Sequence, residues 1–141
     1  MASDPRTIRS IAVTAEDAVS AYEASERSAT RPVLRITPPF NGRMRARLHL
    51  PGDANEGSEA IHLRPADLFD PERLPPYPEP ADTESEIRDD PDLDYSTELH
   101  HDRHVERVEE WRERARGAFV ETVELDTSEG PHRIEVKVLG R

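Results

Sequence analysis

Arginine side chains at regular spacing are the strongest chemical signal in this sequence. Residues 27–52 contain six arginines and no aspartate or glutamate, so this segment carries +6 while the remainder of the −11 chain sums to −17. Because side chains alternate between the two faces of a strand, basic residues at every second position of residues 43–50 are predicted to share one face. These residues are Arg43, Arg45, Arg47 and His49.

Guanidinium groups at this spacing suit an extended anionic partner. Neighbours on one strand face lie about 7 Å apart, close to the phosphate spacing of an extended nucleic-acid strand. Each guanidinium can bind a phosphate or a carboxylate through two hydrogen bonds. We therefore predict that these four residues and Arg35 form an anion- or partner-binding site for an acidic protein or a nucleic acid. Phe40 and Tyr77 are the nearby candidates for stacking against bases.

A structural role for the same arginines is the alternative. They would then form ion pairs with the acidic residues 64–96 or with neighbouring strands, and each exposed pair would stabilise the fold by only about 0 to 1 kcal/mol. The two interpretations differ observably. A binding surface requires accessible guanidinium groups that have no carboxylate of the same chain within about 4 Å.

A histidine cluster at His100, His101 and His104 is the second candidate site. His100 and His104 lie four residues apart, the spacing at which two imidazoles on one helix can bind the same metal ion. The cluster lacks a glutamate directly after its first histidine, and His101 and His104 fall on the predicted inward face of the helix. A hydrogen-bonded structural role is commoner there, so a small metal-dependent enzyme is the alternative hypothesis. We predict no metal and no other cofactor.

Other catalytic signatures are absent from the sequence. It contains no phosphate-binding loop, no dinucleotide fingerprint and no nucleophile elbow. The chain has no cysteine, and pairs of carboxylates carry little information among 30 acidic residues. We therefore expect a binding module or an accessory subunit rather than an enzyme.

The charge composition indicates adaptation to high salt and says little about function. The 19 basic residues are 18 arginines and a single lysine, Lys137, against 30 acidic residues in a chain of 141. Carboxylate-rich surfaces keep proteins dispersed in brine, where a Debye length of about 3 Å at 1 M salt screens self-repulsion. We predict a halophilic cytoplasmic protein. No apolar run approaches the ~18 residues that span a bilayer, and residues 1–9 lack the features of a secretory signal.

Hydrophobic periodicity predicts an α+β fold in which one sheet positions these residues. The sheet is expected to be mixed or largely antiparallel, with about six strands. The strand patterns occupy residues 8–13, 33–37, 43–50, 60–63, 119–125 and 132–138. Thr14 is a predicted N-cap, so a shorter helix should run from Ala15 to about Ser28. The longest helix pattern covers residues 97–117, with Trp111 as its core anchor.

Residues 64–96 differ in character from the rest of the chain. They contain seven of the 13 prolines and 11 acidic residues. Apolar side chains are spaced through the segment like anchors, so we expect it to wrap over the domain rather than form a disordered linker. Thr83 and Glu86 fit a capping box, which predicts a short helix at residues 84–89. The chain, residues 1–141, is predicted to be a single domain.

Three parts of the sequence resemble an uncharacterised haloarchaeal family, a domain of unknown function. They are residues 36–50, the Pro-Pro-Tyr-Pro sequence at residues 75–78, and residues 134–140. The resemblance covers nearly the whole chain and implies a halophilic single-domain protein. It implies no activity, ligand or catalytic residue.

Overall fold

The computed structural model describes residues 4–50 and 59–141, in which seven strands and three α-helices occur. The helices are α1 (Ala15–Arg27), α2 (Pro80–Arg88) and α3 (Thr97–Arg116). The strands are β1 (Ser10–Thr14), β2 (Val33–Ile36), β3 (Arg43–Arg45), β4 (Arg47–His49), β5 (Ile61–Leu63), β6 (Thr122–Thr127) and β7 (Gly130–Leu139). None of the helices in this part of the chain is both long and apolar enough to cross a bilayer.

The strands form two sheets, so the prediction of a single six-stranded sheet is wrong. One sheet has four strands in the order β3-β1-β7-β6, and the other has three in the order β4-β2-β5. In the four-stranded sheet β1 runs parallel to both neighbours, whereas β6 and β7 form an antiparallel hairpin. The three-stranded sheet is antiparallel throughout. The α+β class is confirmed.

The predicted strand over residues 43–50 is divided at Ala46. Its first part, β3, pairs with β1, and its second part, β4, pairs with β2. Helix α1 connects β1 to β2, and these two strands lie in different sheets. The segment that contains β3 and β4 pairs with both of them, so it must leave one sheet and enter the other. Ala46 is fully buried at this crossing, and its N–H donates to the carbonyl of Ala12 at 2.9 Å.

Side-chain caps determine where the two longer helices begin. Thr14 Oγ1 accepts a hydrogen bond from the Asp17 N–H at 3.1 Å, and Ser96 Oγ accepts one from the Leu99 N–H at 3.0 Å. Each cap satisfies a backbone donor that has no partner within the helix. The predicted starts of α1 and α3 are confirmed. The final turn of α3 ends at Arg116, with Gly117 as its C-cap.

Helix α2 begins earlier than the capping box predicts. It starts at Pro80, whose restricted φ suits the first helical position. Thr83 therefore lies inside the helix, where it is buried and its hydroxyl is 2.9 Å from His104 Nδ1. Glu86 forms an ion pair with Arg107 of α3 rather than returning to the helix start. These contacts fix α2 against α3.

The proline-rich segment packs against the core, as its apolar spacing predicts. Leu68, Phe69 and Ile87 are buried. Trp111 of α3 donates its indole N–H to the carbonyl of Pro75 at 2.9 Å, which connects the longest helix to this segment. The wrapping arrangement therefore combines apolar burial with a hydrogen bond that satisfies a buried polar atom.

Trp111 lies at the centre of an aromatic cluster and is only 2% exposed. Its ring stacks on Tyr22 of α1, with centroids 5.4 Å apart, and meets the edge of Tyr77 at 4.9 Å. Phe69 contacts Tyr22 at 5.6 Å and Phe119 at 4.6 Å. The cluster joins α1, α3 and the proline-rich segment, so the prediction of Trp111 as core anchor is confirmed.

Trp111→Ala is expected to lower the free energy of unfolding by about 3 to 5 kcal/mol, because it removes these ring contacts and leaves a cavity. Urea unfolding followed by circular dichroism measures the change. Val105→Ala is the matched control, because Val105 lies on the same helix but is 45% exposed. The control should change stability by about 0.5 kcal/mol or less. A similarly small effect of Trp111→Ala would contradict the anchoring role.

Candidate anion-binding site

Two arginines lie directly opposite each other on the three-stranded sheet. The register pairs Arg47 of β4 with Arg35 of β2, and Arg35 in turn pairs with His62 of β5. Directly paired residues project from the same face of a sheet, so these three side chains form a row across its outer face. The next row, on the inner face, contains Leu34 and Leu63, which are buried in the core.

Arg45 reaches the same region from the neighbouring sheet. Its Cα partner is Ala12 of β1, and only Ala46 separates Arg45 from Arg47. Arg35, Arg45 and Arg47 together line a cleft of about 370 Å³, which we call the arginine cleft. Its other lining residues are Thr37, Met44, Leu48 and His49. No carboxylate from the described part of the chain contributes to the lining.

The predicted common face of residues 43–49 is wrong in one respect. The chain changes sheets at Ala46, so Arg43 and Arg45 belong to the four-stranded sheet, whereas Arg47 and His49 belong to the three-stranded sheet. The cleft nevertheless brings together all the predicted site residues except Arg43. Arg43 is exposed beside Ser10 of β1 and does not line the cleft.

The three cleft arginines form no ion pair within 4.0 Å with any carboxylate of residues 4–50 and 59–141. The Nε atoms of Arg35 and Arg45 are buried and have no hydrogen-bond partner there. The alternative interpretation pairs these arginines with acidic side chains of residues 64–96. Several of those acidic side chains instead form ion pairs with other arginines. These pairs are Asp67 with Arg64, Asp70 with Arg73, Glu84 with Arg88, and Glu86 with Arg107.

This arrangement has an energetic cost in the free protein. Like charges placed directly opposite on neighbouring strands are destabilising, and a buried N–H without an acceptor costs about 1 to 3 kcal/mol. The two Nε atoms are covered, so an anion reaches them only after the Arg35 and Arg45 side chains rotate outward. Such an anion gains hydrogen bonds without displacing a carboxylate of the described residues.

His62 is a residue near this site that the sequence reasoning missed. Its ring stacks on that of His49, with centroids 5.7 Å apart and planes inclined by 25°. The alternation of Ile61, His62 and Leu63 indicates that His62 faces away from the core. Its position beside Arg35 could not be predicted, because it depends on the register between β2 and β5.

The two rings predicted to stack against bases are engaged elsewhere. Phe40 is 4% exposed and belongs to the hydrophobic core. The Tyr77 hydroxyl donates to Glu23 Oε2 at 2.8 Å, and burial, followed by this bond, raises the pKa of Tyr77 to about 12. Glu23 is also bound by Arg112 Nε at 2.7 Å. This buried group is internally satisfied and joins α1 to α3.

The histidine cluster serves as a connection between α2 and α3. His100 Nε2 is 2.8 Å from the carbonyl of Pro80, and His104 Nδ1 is 2.9 Å from Thr83 Oγ1. His101 is exposed, so its predicted inward orientation is wrong. Among the described residues, no group of three or more His, Cys, Asp or Glu side chains is arranged to hold a metal ion. The described geometry therefore gives no support to the metal-dependent alternative.

The fold and the cleft define a class of protein: a small α+β protein that carries a cationic cleft in an acidic chain. Neither the curated proteins nor the solved structures contain a match to it. The chain belongs to a family described as a domain of unknown function, DUF8009, whose model matches residues 1–140. Membership of this family assigns no activity. The arginine cleft is therefore the feature from which a function can be inferred.

Arg47→Thr is expected to raise the free energy of unfolding by about 0.2 to 1 kcal/mol, because it removes a like charge opposite Arg35. Chemical denaturation at low salt measures the gain, which should shrink in molar salt as charges are screened. Arg133→Thr is the matched strand control. Its guanidinium lies 3.8 Å from Glu124, so that substitution should not stabilise the fold. Destabilisation by Arg47→Thr at low salt would contradict the repulsion.

The pKa of His104 lies below its usual value of 6.5, because burial and then the neighbouring His100, Arg27 and His101 disfavour the imidazolium. The unfolded chain therefore binds this proton first. The His104 contribution to stability is complete above about pH 6.5 and is lost as the pH falls below that value, down to the folded-state pKa.

His104→Asn is expected to reduce the loss of unfolding free energy between about pH 8 and about pH 5. Guanidinium denaturation of both proteins at each pH measures this difference. Other groups that titrate in this range are present in both proteins and cancel in the comparison. An unchanged pH dependence in the variant would show that His104 titrates alike in the folded and unfolded chains.

Proposed function

We propose that this chain is a protein-interaction module that binds an acidic segment of a partner protein through the arginine cleft. The observation that carries the proposal is the direct opposition of Arg35 and Arg47, with Arg45 beside them and no described carboxylate within ion-pair distance. In the folded protein, no described residue places a negative charge within ion-pair distance of these three arginines. A carboxylate from a partner would supply both the charge and the acceptors.

A protein partner fits these observations better than a nucleic acid does. Neither Phe40 nor Tyr77 is free to stack against bases, and stacking contributes much of the affinity for single strands. Outside residues 27–52 the chain carries −17, which repels a long polyanion on either side of the cleft. A short acidic segment can place its carboxylates in the cleft without extending along that surface.

The same site would suit a halophilic cytoplasmic protein, which remains part of this proposal. At molar salt the Debye length is about 3 Å, so long-range attraction contributes little to affinity. Direct, partly buried contacts are screened less. The guanidinium groups of Arg35, Arg45 and Arg47, which line the cleft, offer direct contacts to an anion bound in it. Binding that persists at high salt is therefore consistent with this cleft.

Replacing Arg35, Arg45 and Arg47 with Gln is expected to weaken binding of a peptide rich in aspartate and glutamate by at least about a hundredfold. Hydrogen bonds to charged groups contribute about 1.5 to 3 kcal/mol each, so the loss of several exceeds that factor. Fluorescence anisotropy of a labelled peptide measures the affinity, and circular dichroism verifies that the variant is folded.

The matched control replaces Arg114, Arg116 and Arg133 with Gln, which changes the net charge equally at residues that do not line the cleft. This control should bind the peptide nearly as tightly as the unchanged protein. Equal losses in both variants would indicate general electrostatic attraction and overturn the assignment of the cleft. Tighter binding of a single-stranded oligonucleotide than of the peptide would indicate a nucleic-acid partner instead.

A further inference from the structure

We propose that the arginine cleft binds a phosphorylated serine or threonine side chain in the acidic segment of the partner. This inference rests on the function proposed above and names the central anionic group of that segment. Three features of the cleft lead to it: the convergence of three arginines on one space, the charge that they carry, and the different directions from which they approach.

The three arginines of the cleft are close enough to contact one bound group. Arg35 and Arg47 are Cα partners on neighbouring strands, and directly opposite Cβ atoms lie about 4.5 to 5.5 Å apart. Arg45 is two residues from Arg47 along the chain and lines the same cleft. These separations are comparable with the length of an arginine side chain, so the three guanidinium groups can meet at one anion.

The charge of these arginines matches a phosphate monoester better than a single carboxylate. Arginine stays protonated in proteins, so the three side chains carry three positive charges. A phosphorylated serine or threonine carries about −1.5 to −2 at pH 7. An ionised aspartate or glutamate carries a single negative charge, and so does each phosphodiester of a nucleic acid. One phosphate monoester therefore compensates more of the positive charge than any of these groups does.

The arginines approach the cleft from two sheets. Arg45 belongs to β3 of the four-stranded sheet, whereas Arg35 and Arg47 belong to the three-stranded sheet. The two oxygens of a carboxylate lie in one plane with its carbon. The three terminal oxygens of a phosphate monoester are strong acceptors that point in three directions of a tetrahedron. Because arginine binds phosphate through its N–H donors, the tetrahedral group offers each arginine an oxygen of its own.

Two neighbouring acidic residues of the partner are the alternative source of a double charge. On one side of an extended segment, successive side chains lie about 7 Å apart. Arg35 and Arg47 are separated by a single strand spacing of about 4.8 Å. The cleft, at about 370 Å³, lies near the lower end of the range of small-ligand sites, about 300 to 1,000 Å³. A phosphorylated side chain concentrates its charge in that space, whereas two carboxylates spread theirs.

The surroundings of the arginines favour direct contact with the phosphate oxygens. Arg35 and Arg45 are half-buried, and Arg47 is exposed. Salt screens the attraction between partly buried charges less than the attraction between exposed ones. Thr37 also lines the cleft, and a threonine hydroxyl can donate a hydrogen bond to a phosphate oxygen. The cleft therefore combines charged and neutral donors around one space.

Peptides of about nine residues test the inference on the unchanged protein. All share one acidic sequence and differ at the centre, which carries phosphoserine, serine, one glutamate or two adjacent glutamates. Fluorescence anisotropy measures the affinities. The phosphoserine peptide is expected to bind at least about tenfold more tightly than each of the others. The peptide with two glutamates is the most stringent comparison, because its added charge matches that of the phosphate.

Arg45→Gln is expected to remove this preference. The variant keeps Arg35 and Arg47, so binding of the one-glutamate peptide should weaken by less than about threefold, whereas binding of the phosphoserine peptide should weaken by about tenfold or more. The matched control is Arg43→Gln, which removes the same charge from β3 at a side chain that does not line the cleft. The control should bind both peptides like the unchanged protein, and circular dichroism verifies that both variants are folded.

Inorganic phosphate distinguishes a protein partner from a free ion or a small phosphate ester. The phosphoserine peptide should bind at least about tenfold more tightly than inorganic phosphate, which should displace it only at high concentration. Equal affinity of the peptide and the free ion would overturn a protein source for the phosphate.

The outcomes separate this inference from the function on which it rests. If the peptide with two glutamates binds as tightly as the phosphoserine peptide, the phosphate is overturned while an acidic partner stands. Equal losses in Arg45→Gln and Arg43→Gln would also overturn it, because they indicate general attraction. If the variant with Gln at residues 35, 45 and 47 binds every peptide as tightly as the unchanged protein does, the proposed function itself fails. Preference for phosphoserine that is lost with Arg45 and kept without Arg43 supports both.

Discussion

Ala46 connects the two sheets. It is fully buried, and its N–H donates a hydrogen bond to the Ala12 carbonyl. Strands on either side of it pair with different partners, so the inner faces of both sheets share a single core. The site depends on the same residue. Only Ala46 separates Arg45 from Arg47, so arginines of two different sheets line one cleft. A larger side chain at this position would have to displace core residues.

The arginines of α3 and those of the cleft differ in their partners. Four of the five arginines of α3 form ion pairs with carboxylates; among them, Arg107 contacts Glu110, and Arg112 contacts both Glu109 and the buried Glu23. The cleft arginines have no such partner in the described chain. The pair of Arg112 with Glu23 fixes α3 to α1, and the pair of Arg107 with Glu86 fixes α3 to α2. The arginines of the cleft leave a local excess of positive charge, and a bound anion would remove its cost. The direct opposition of Arg35 and Arg47 in one cleft, more than the lack of a carboxylate alone, supports the proposed binding role.

Local sequence signals predict much of this fold but not its assembly. Caps such as Thr14 act through neighbours along the chain, so the start of α1 is visible in the sequence. The excess of arginine over residues 27–52 is visible for the same reason. The division at Ala46 and the position of His62 beside Arg35 depend on which strands pair and in which register. Those properties arise from contacts between distant residues, and alternation alone is compatible with one continuous strand. Helix α2 starts early because Pro80 suits a first turn, a local signal that the Thr83 pattern obscured.

The single lysine gives this protein a selective chemical handle. Lys137 of β7 and Arg45 of β3 are both the Cα partners of Ala12, so they stand on the same face of the four-stranded sheet with one strand between them. Two strand spacings amount to roughly 10 Å. The ammonium group is accessible, with 61% of the side chain exposed. A fluorophore coupled through an amide bond would therefore attach to only one side chain, near the arginine cleft but not on a residue that lines it.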